Sequence, residues 1–124
     1  MKSISSEYIR VGRSEVSDDT LNGFVVYDDE TVRRRIAENP KCSKEILERL
    51  SRDEARSVRT AVAANANTDT RVLLSLASDR DPDLRYSMAE NHNLPFQILD
   101  LLTHDENPYV QARALSTLSR KQTN

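Results

Sequence analysis

Apolar positions along this chain fall into two kinds of short cluster that alternate and then begin again after 26 residues. Val32, Ile36 and Ala37 stand at i, i+4, i+5, and the same spacing returns at Val58, Val62, Ala63 and at Leu84, Met88, Ala89. A second cluster at i, i+1, i+4 follows each: Ile46, Leu47, Leu50, then Val72, Leu73, Leu76, then Ile98, Leu99, Leu102. Either spacing gathers side chains on one face of an α-helix, so the pattern predicts pairs of short amphipathic helices. Polar columns keep step with the apolar ones: Arg33/Arg59/Arg85, Asn39/Asn65/Asn91 and Asp53/Asp79/Asp105. Self-similarity at such a period is the mark of a helical solenoid, in which each unit buries its apolar face on its neighbours.

The ends of the helices are signalled as well. Asp29 and Glu30 precede the first copy of the leading helix, Pro82 and Asp83 the third and Pro108 the fourth; proline in a first turn and acids near the amide end both favour initiation. The Asn column follows the last apolar position, where a residue in the left-handed conformation is expected to close the helix, with Pro40 blocking continuation. Ser43 or Thr68 is expected to cap the second helix, and Pro95 suits its first turn. Helices this short do not stand alone in water, so stacking is obligatory and one cooperative domain is expected. The expected organisation is a flexible segment 1–16 and a helical-repeat domain 17–124. That domain comprises an N-terminal half-repeat 17–31, repeats 32–57, 58–83 and 84–109, and a C-terminal cap helix 110–124. In the half-repeat Leu21 and Phe24 fall one period before Leu47 and Leu50; in the cap Val110, Ala114, Leu115 and Leu118 supply the apolar face.

Composition narrows the class. A chain of 124 residues with 37% hydrophobic and 31% charged residues suits a small soluble protein with a thin core. No apolar run is long enough to span a bilayer, and the opening residues have no signal-peptide core, so the expected location is cytoplasmic with no membrane partner. Cys42 is the single cysteine, which excludes an intramolecular disulfide and a CxxC motif. A net charge of −2 and an isoelectric point near 5.7 remove the usual electrostatic basis for binding nucleic acid or anionic lipid.

The columns carry two resemblances. The unit VRTAVAANANTDTRVLLSLASDRDPD, residues 58–83, and its neighbours resemble the leucine-rich repeat variant family, with its VRxxVAxN start and its LxxL and D-x-D end. The resemblance covers about residues 28–119 and implies an all-α fold: a right-handed superhelical solenoid of paired short helices, about three and a half repeats long. One member type carries an iron-sulfur cluster on extra cysteines; with Cys42 alone nothing of that transfers, and no cofactor is expected. Asp and Arg six residues apart, straddling the residue that starts a helix, also resemble HEAT repeats: Asp53/Val58/Arg59 and Asp79/Leu84/Arg85 match, while Asp105/Val110/Gln111 loses the Arg. A true leucine-rich repeat is disfavoured because its LxxLxL strand signature is missing.

Candidate sites are then weighed against what the fold needs. Asp53, Arg59, Asp79, Arg85 and Asp105 read as a structural ladder of charge-assisted bonds that locks the stacking. The alternative is a phosphate-binding face of Arg33, Arg34, Arg35, Arg59 and Arg85 on a nucleic-acid-associated protein, although a solvated face balanced by Asp28, Asp29 and Glu30 also accounts for the Arg triplet. The Asn column reads as helix caps in preference to a comb for a bound peptide backbone. His92, His104 and Cys42 lie in different units without ligand spacing, so no metal is expected. No serine sits in a nucleophile motif and two glycines cannot form a phosphate loop, so catalysis is not expected. HEAT-like alkylpurine DNA glycosylases act on DNA, but this chain has no Trp and 5% aromatic residues.

Outward positions on the second helices differ between copies. Lys44, Glu48 and Arg49 in the first unit give way to apolar Leu74, Phe96 and Leu101 in the later ones. With Arg71 and His104 these residues are the candidate protein-binding face; packing beneath residues 1–27 is the competing reading. The expected function is a non-catalytic interaction module for another protein or peptide, as a monomer or weak homodimer.

Overall fold

The computed structural model describes residues 28–122, so the half-repeat expected over 17–27, with Leu21 and Phe24, and the segment expected to be flexible over 1–16 lie outside the described residues. Among the described residues there are seven helices and no strand: α1 Glu30–Glu38, α2 Lys44–Leu50, α3 Arg56–Ala64, α4 Thr70–Leu76, α5 Pro82–Ala89, α6 Phe96–Leu102 and α7 Pro108–Gln122. The fold is all-α, with a first and a second helix in each repeat, as the two spacings predict. None of these helices is long and apolar enough to cross a membrane.

Initiation follows the local chemistry. Asp29 caps α1 by accepting from the Thr31 amide at 2.8 Å, Asp81 caps α5 through the Asp83 amide, and Ser43 caps α2 through the Ile46 amide. Pro82 and Pro108 each open a helix, where the missing N–H has no partner to lose. Thr68, two residues before α4 begins, is buried and donates its hydroxyl to the Val62 carbonyl at 2.6 Å, and Pro95, expected in the first turn of α6, stands just before its first residue.

The chain divides into two compact units, Met1–Asp69 and Thr70–Asn124. In the first, α1 packs against α3 and α2 fills against both; in the second, α5 and α6 pack against α7 and against each other. The apolar columns are the core of each unit: Val32, Ile36, Ile46, Leu47, Val58 and Val62 in one, Leu84, Met88, Ile98, Leu99, Leu102 and Val110 in the other, all nearly sealed from solvent. A further column joins them. Cys42, Thr68 and Leu94 stand 26 residues apart in the linker between the paired helices, and each is buried.

Two expectations are corrected here. No non-glycine residue among the described ones has a positive φ, so the Asn column does not end its helices in the left-handed conformation. Asn39 and Asn65 are extended, at φ −71° and −79°. Their side-chain oxygens accept from the amides of Lys41 and Asn67, and that of Asn91 from Asn93, so a side chain makes the turn that backbone strain does not. Leu115, expected in the core of the last helix, is 55% exposed, whereas Val110, Ala114 and Leu118 are buried. The described residues place no element over Leu115, which sits in the column where Ala37, Ala63 and Ala89 are buried.

Candidate functional site

The Arg and Asp columns meet as ion pairs within each unit. Arg33 Nε donates to Asp53 Oδ2 at 2.7 Å and its Nη2 to Oδ1 at 3.3 Å; Arg85 repeats the fork on Asp105 at 2.8 and 3.3 Å. Both pairs join residues 20 apart, so the Asp lies in the turn that closes the same repeat and leads into the next. The remaining guanidinium nitrogen reaches back to the preceding turn. Arg33 Nη1 bonds the Asp28 carbonyl, Arg85 Nη1 the Asp79 carbonyl at 2.6 Å, and Arg59 Nη1 those of Asp53 and Glu54 at 2.9 and 3.0 Å. Each Asp also holds its own turn, accepting from the amide two residues on: Ala55 for Asp53, Asp81 for Asp79 and Asn107 for Asp105. One carboxylate thus shapes a turn and receives an arginine.

This geometry decides against a phosphate comb on the Arg column. Arg33, Arg59 and Arg85 are 9%, 3% and 8% exposed, with their donors committed to protein oxygens. Arg33 therefore belongs with Asp53, Arg59, Asp79, Arg85 and Asp105 in the ladder. Its guanidinium is held above the ordinary arginine pKa, first by the hydrogen bond to Asp53, which outweighs the opposing effect of burial. The stability gained from that shift is present at every pH below the ordinary arginine value and is lost only as pH rises through the raised one. Arg34 and Arg35 are half-buried flanking residues, and Arg34 Nε lies 3.9 Å from Glu38 Oε2.

The Asn column joins successive first helices. Asn65 Nδ2 donates to the carbonyls of Ala37 and Asn39 at 2.8 and 2.9 Å, satisfying acceptors that the end of α1 leaves open. Thr117, in the same column of the last helix, donates to the Ala89 carbonyl at 2.6 Å and is buried. Below it Lys121 Nζ clamps the loop after α5 through the carbonyls of His92 and Leu94. Sequence reading missed Thr117 and Lys121. Counting 26 on from Asn91 finds the first; nothing in the pattern points to the second.

The candidate face on the second helices is exposed throughout. Phe96 is 54% exposed, Leu101 44% and Leu74 43%, with Arg71 and His104 also outward. Leu101 and His104 open together onto a depression of about 420 Å³ lined also by Ala77, Arg80 and Glu106. Arg71, Leu74 and Phe96 stand outside its lining. His104 Nδ1 is 3.1 Å from the Asp100 carbonyl, an arrangement that orients the ring without pairing it to a carboxylate. Among the described residues no three of His, Cys, Asp and Glu are placed to hold a metal ion. What this surface offers is apolar area with polar groups at its edge, the chemistry of docking. The chain matches no family model, no curated protein and no solved structure.

Proposed function

We propose that this protein is a non-catalytic protein-interaction module of helical-repeat type, similar to the leucine-rich repeat variant family, and that it works in the cytoplasm. In this reading its units stack as a right-handed superhelical solenoid. Support for regular stacking comes from bonds that recur 52 residues apart, two periods of 26: Arg33 to Asp53 with Arg85 to Asp105, and Asn65 to Ala37 with Thr117 to Ala89. The Arg-lined phosphate surface, the alternative at the level of sequence, loses Arg33, Arg59 and Arg85 to the ladder and keeps only Arg34 and Arg35.

The observation that carries the functional reading is the exposed apolar set on α4 and α6. Phe96 stands where the first unit has Lys44, Leu101 where it has Arg49, and Leu74 where it has Glu48. The packing columns on the helices themselves stay apolar in every copy, so these changes at exposed positions are not demanded by the fold. Burying a phenylalanine and two leucines in a partner supplies several kcal/mol at about 25 cal/mol per Å², part of it offset by the entropy of association. Quantitative capture from an extract of the native host tests this. Phe96→Ser or Leu101→Ser is expected to abolish capture while leaving the thermal midpoint within a few degrees, as for most surface changes. A large fall in the midpoint places these residues in a core and removes the proposed face.

A further inference from the structure

First helices stack on one another within each compact unit. In the first unit the face of α1 that receives α3 is made by four residues. Glu30 accepts from the Ser57 hydroxyl, Arg34 and Glu38 line the groove between the two helices, and Ala37 is sealed, its carbonyl accepting from Asn65. Three periods on, the same columns of α7 hold Pro108, Ala112, Leu115 and Ser116. Every charge of the receiving face has gone. The described residues place no element on it: Leu115 is 55% exposed and Tyr109, at its edge, 76%, with Pro108, Ala112 and Ser119 exposed as well.

A face left open at the end of a stack is expected to be polar, as the outer faces of terminal units in repeat arrays are. α7 does the opposite. Its cations, Arg113, Arg120 and Lys121, line the groove that also holds Glu90 and His92, and it has no acid. That leaves Pro108, Tyr109, Ala112, Leu115, Ser116 and Ser119 without a charge among them, on the outer side of a helix in a chain that is 31% charged. The pattern is also close to palindromic. Leu115 is the middle residue of Pro108–Gln122, with Ala112 before it and Ser119 after it at nearly equal distances. A second α7 laid antiparallel about Leu115 sets Ala112 of each copy opposite Ser119 of the other. Each Leu115 then enters the space that Ala112, Ser116 and Ser119 leave open, and small residues let the two helices approach closely.

We propose that this face of α7 is an interaction surface for the same face of a second copy of the chain, the two helices antiparallel with Leu115 at the two-fold axis. A copy suits it on three grounds. Two identical charged faces repel when brought together, and this one has no charge to oppose its own image. The near-palindrome gives an isologous contact in which large and small residues alternate across the axis. The contact also continues the stacking that α1 makes on α3 and α5 on α7, because Leu115 stands in the column where Ala37, Ala63 and Ala89 are buried. One helix of 15 residues gives a seam of about 22 Å, which keeps the buried area below about 1,200 Å² and the pairing among the weak ones. Dilute chain is then monomeric, with Leu115 open to water. The surface shares no residue with the apolar face of α4 and α6 and stands or falls apart from it.

Analytical ultracentrifugation of the full chain from about 1 µM to about 1 mM tests the surface. A reversible equilibrium between monomer and dimer is expected, with the dimer filling toward the upper end. Leu115→Glu sets two carboxylates at the axis and is expected to weaken the dimer at least about tenfold. Its thermal midpoint at about 1 µM is expected to stay within a few degrees of the native one. Phe96→Ser is expected to keep the native dimer constant. Under oxidised glutathione Leu115→Cys is expected to give a disulfide-linked dimer and Tyr109→Cys not, because antiparallel helices hold the two Tyr109 positions about 18 Å apart along the axis. A chain that stays monomeric at about 1 mM overturns the proposal, as does an unchanged dimer constant in Leu115→Glu. Loss of the dimer in Phe96→Ser assigns the pairing to α4 and α6, and linkage of Tyr109→Cys as ready as that of Leu115→Cys removes the antiparallel register; either overturns it. A large fall in the midpoint at about 1 µM in both Leu115→Glu and Leu115→Gln shows that the face is covered within one chain and also overturns it.

Discussion

Thr117 donates its hydroxyl to the carbonyl of Ala89 at 2.6 Å, taking in the last helix the column that asparagine holds in the three preceding units. Its counterpart one compact unit earlier is Asn65, whose amide spans the same sequence separation, 28 residues, to Ala37. What these two positions share is a donor aimed at the end of the preceding first helix. The hydroxyl keeps the bond to the alanine carbonyl and has no second N–H of the kind with which Asn65 also reaches Asn39.

Asn65→Gly separates this role from that of a left-handed cap. Glycine suits a left-handed residue and is nearly neutral there, but Asn65 is extended and its side chain makes three bonds, to Ala37, Asn39 and Asn67. The expected loss is about 2 to 3 kcal/mol in urea unfolding, with Asn65→Ala close behind. A glycine variant as stable as the native chain contradicts the bonding described here.

The Arg85 and Asp105 pair is 9% and 7% exposed at its side chains, so removing one member strands a buried charge. Arg85→Ala is expected to cost about 3 kcal/mol or more. A double-mutant cycle with Asp105→Ala is expected to return a coupling near 2 kcal/mol, below the single losses because Asp105 also holds the Asn107 amide. Additive losses across the cycle mean that the two residues act apart.

Leu115 and Leu118 lie on one helix and differ in fate. Leu118 is 7% exposed and its truncation to alanine is expected to cost about 2 to 4 kcal/mol. Leu115→Ala, at 55% exposure, is expected to stay within about 0.5 kcal/mol of the native value. Equal destabilisation by the two shows that Leu115 is covered in solution.

Cys42 is fully buried, so its thiol is expected to resist a disulfide reagent in buffer and to react once the chain is unfolded in urea. The rate of labelling at low denaturant then reports opening of the unit that contains α1, α2 and α3. Immediate labelling of the folded chain contradicts the burial.

Helix identity and the facing of the apolar columns were legible in the sequence because both depend on spacing within a few residues, and a helix converts spacing into a face whatever lies beyond it. Val32, Ile46, Leu84 and Ile98 are buried for that reason. So was the ladder in outline, because the Arg and Asp columns share a period, but the pairing of Arg33 with Asp53 and of Arg85 with Asp105 was not. Tertiary structure decided what each column touches. That Arg33 is a buried rung and no phosphate contact, that Asn65 reaches to Ala37 and leaves the left-handed region empty, and that Leu115 is exposed where three alanines are buried all depend on which neighbour stacks on the face. A repeated sequence assigns the same residue to every copy of a column, but burial and bonding come from the adjacent unit, and at the last helix the described residues provide none.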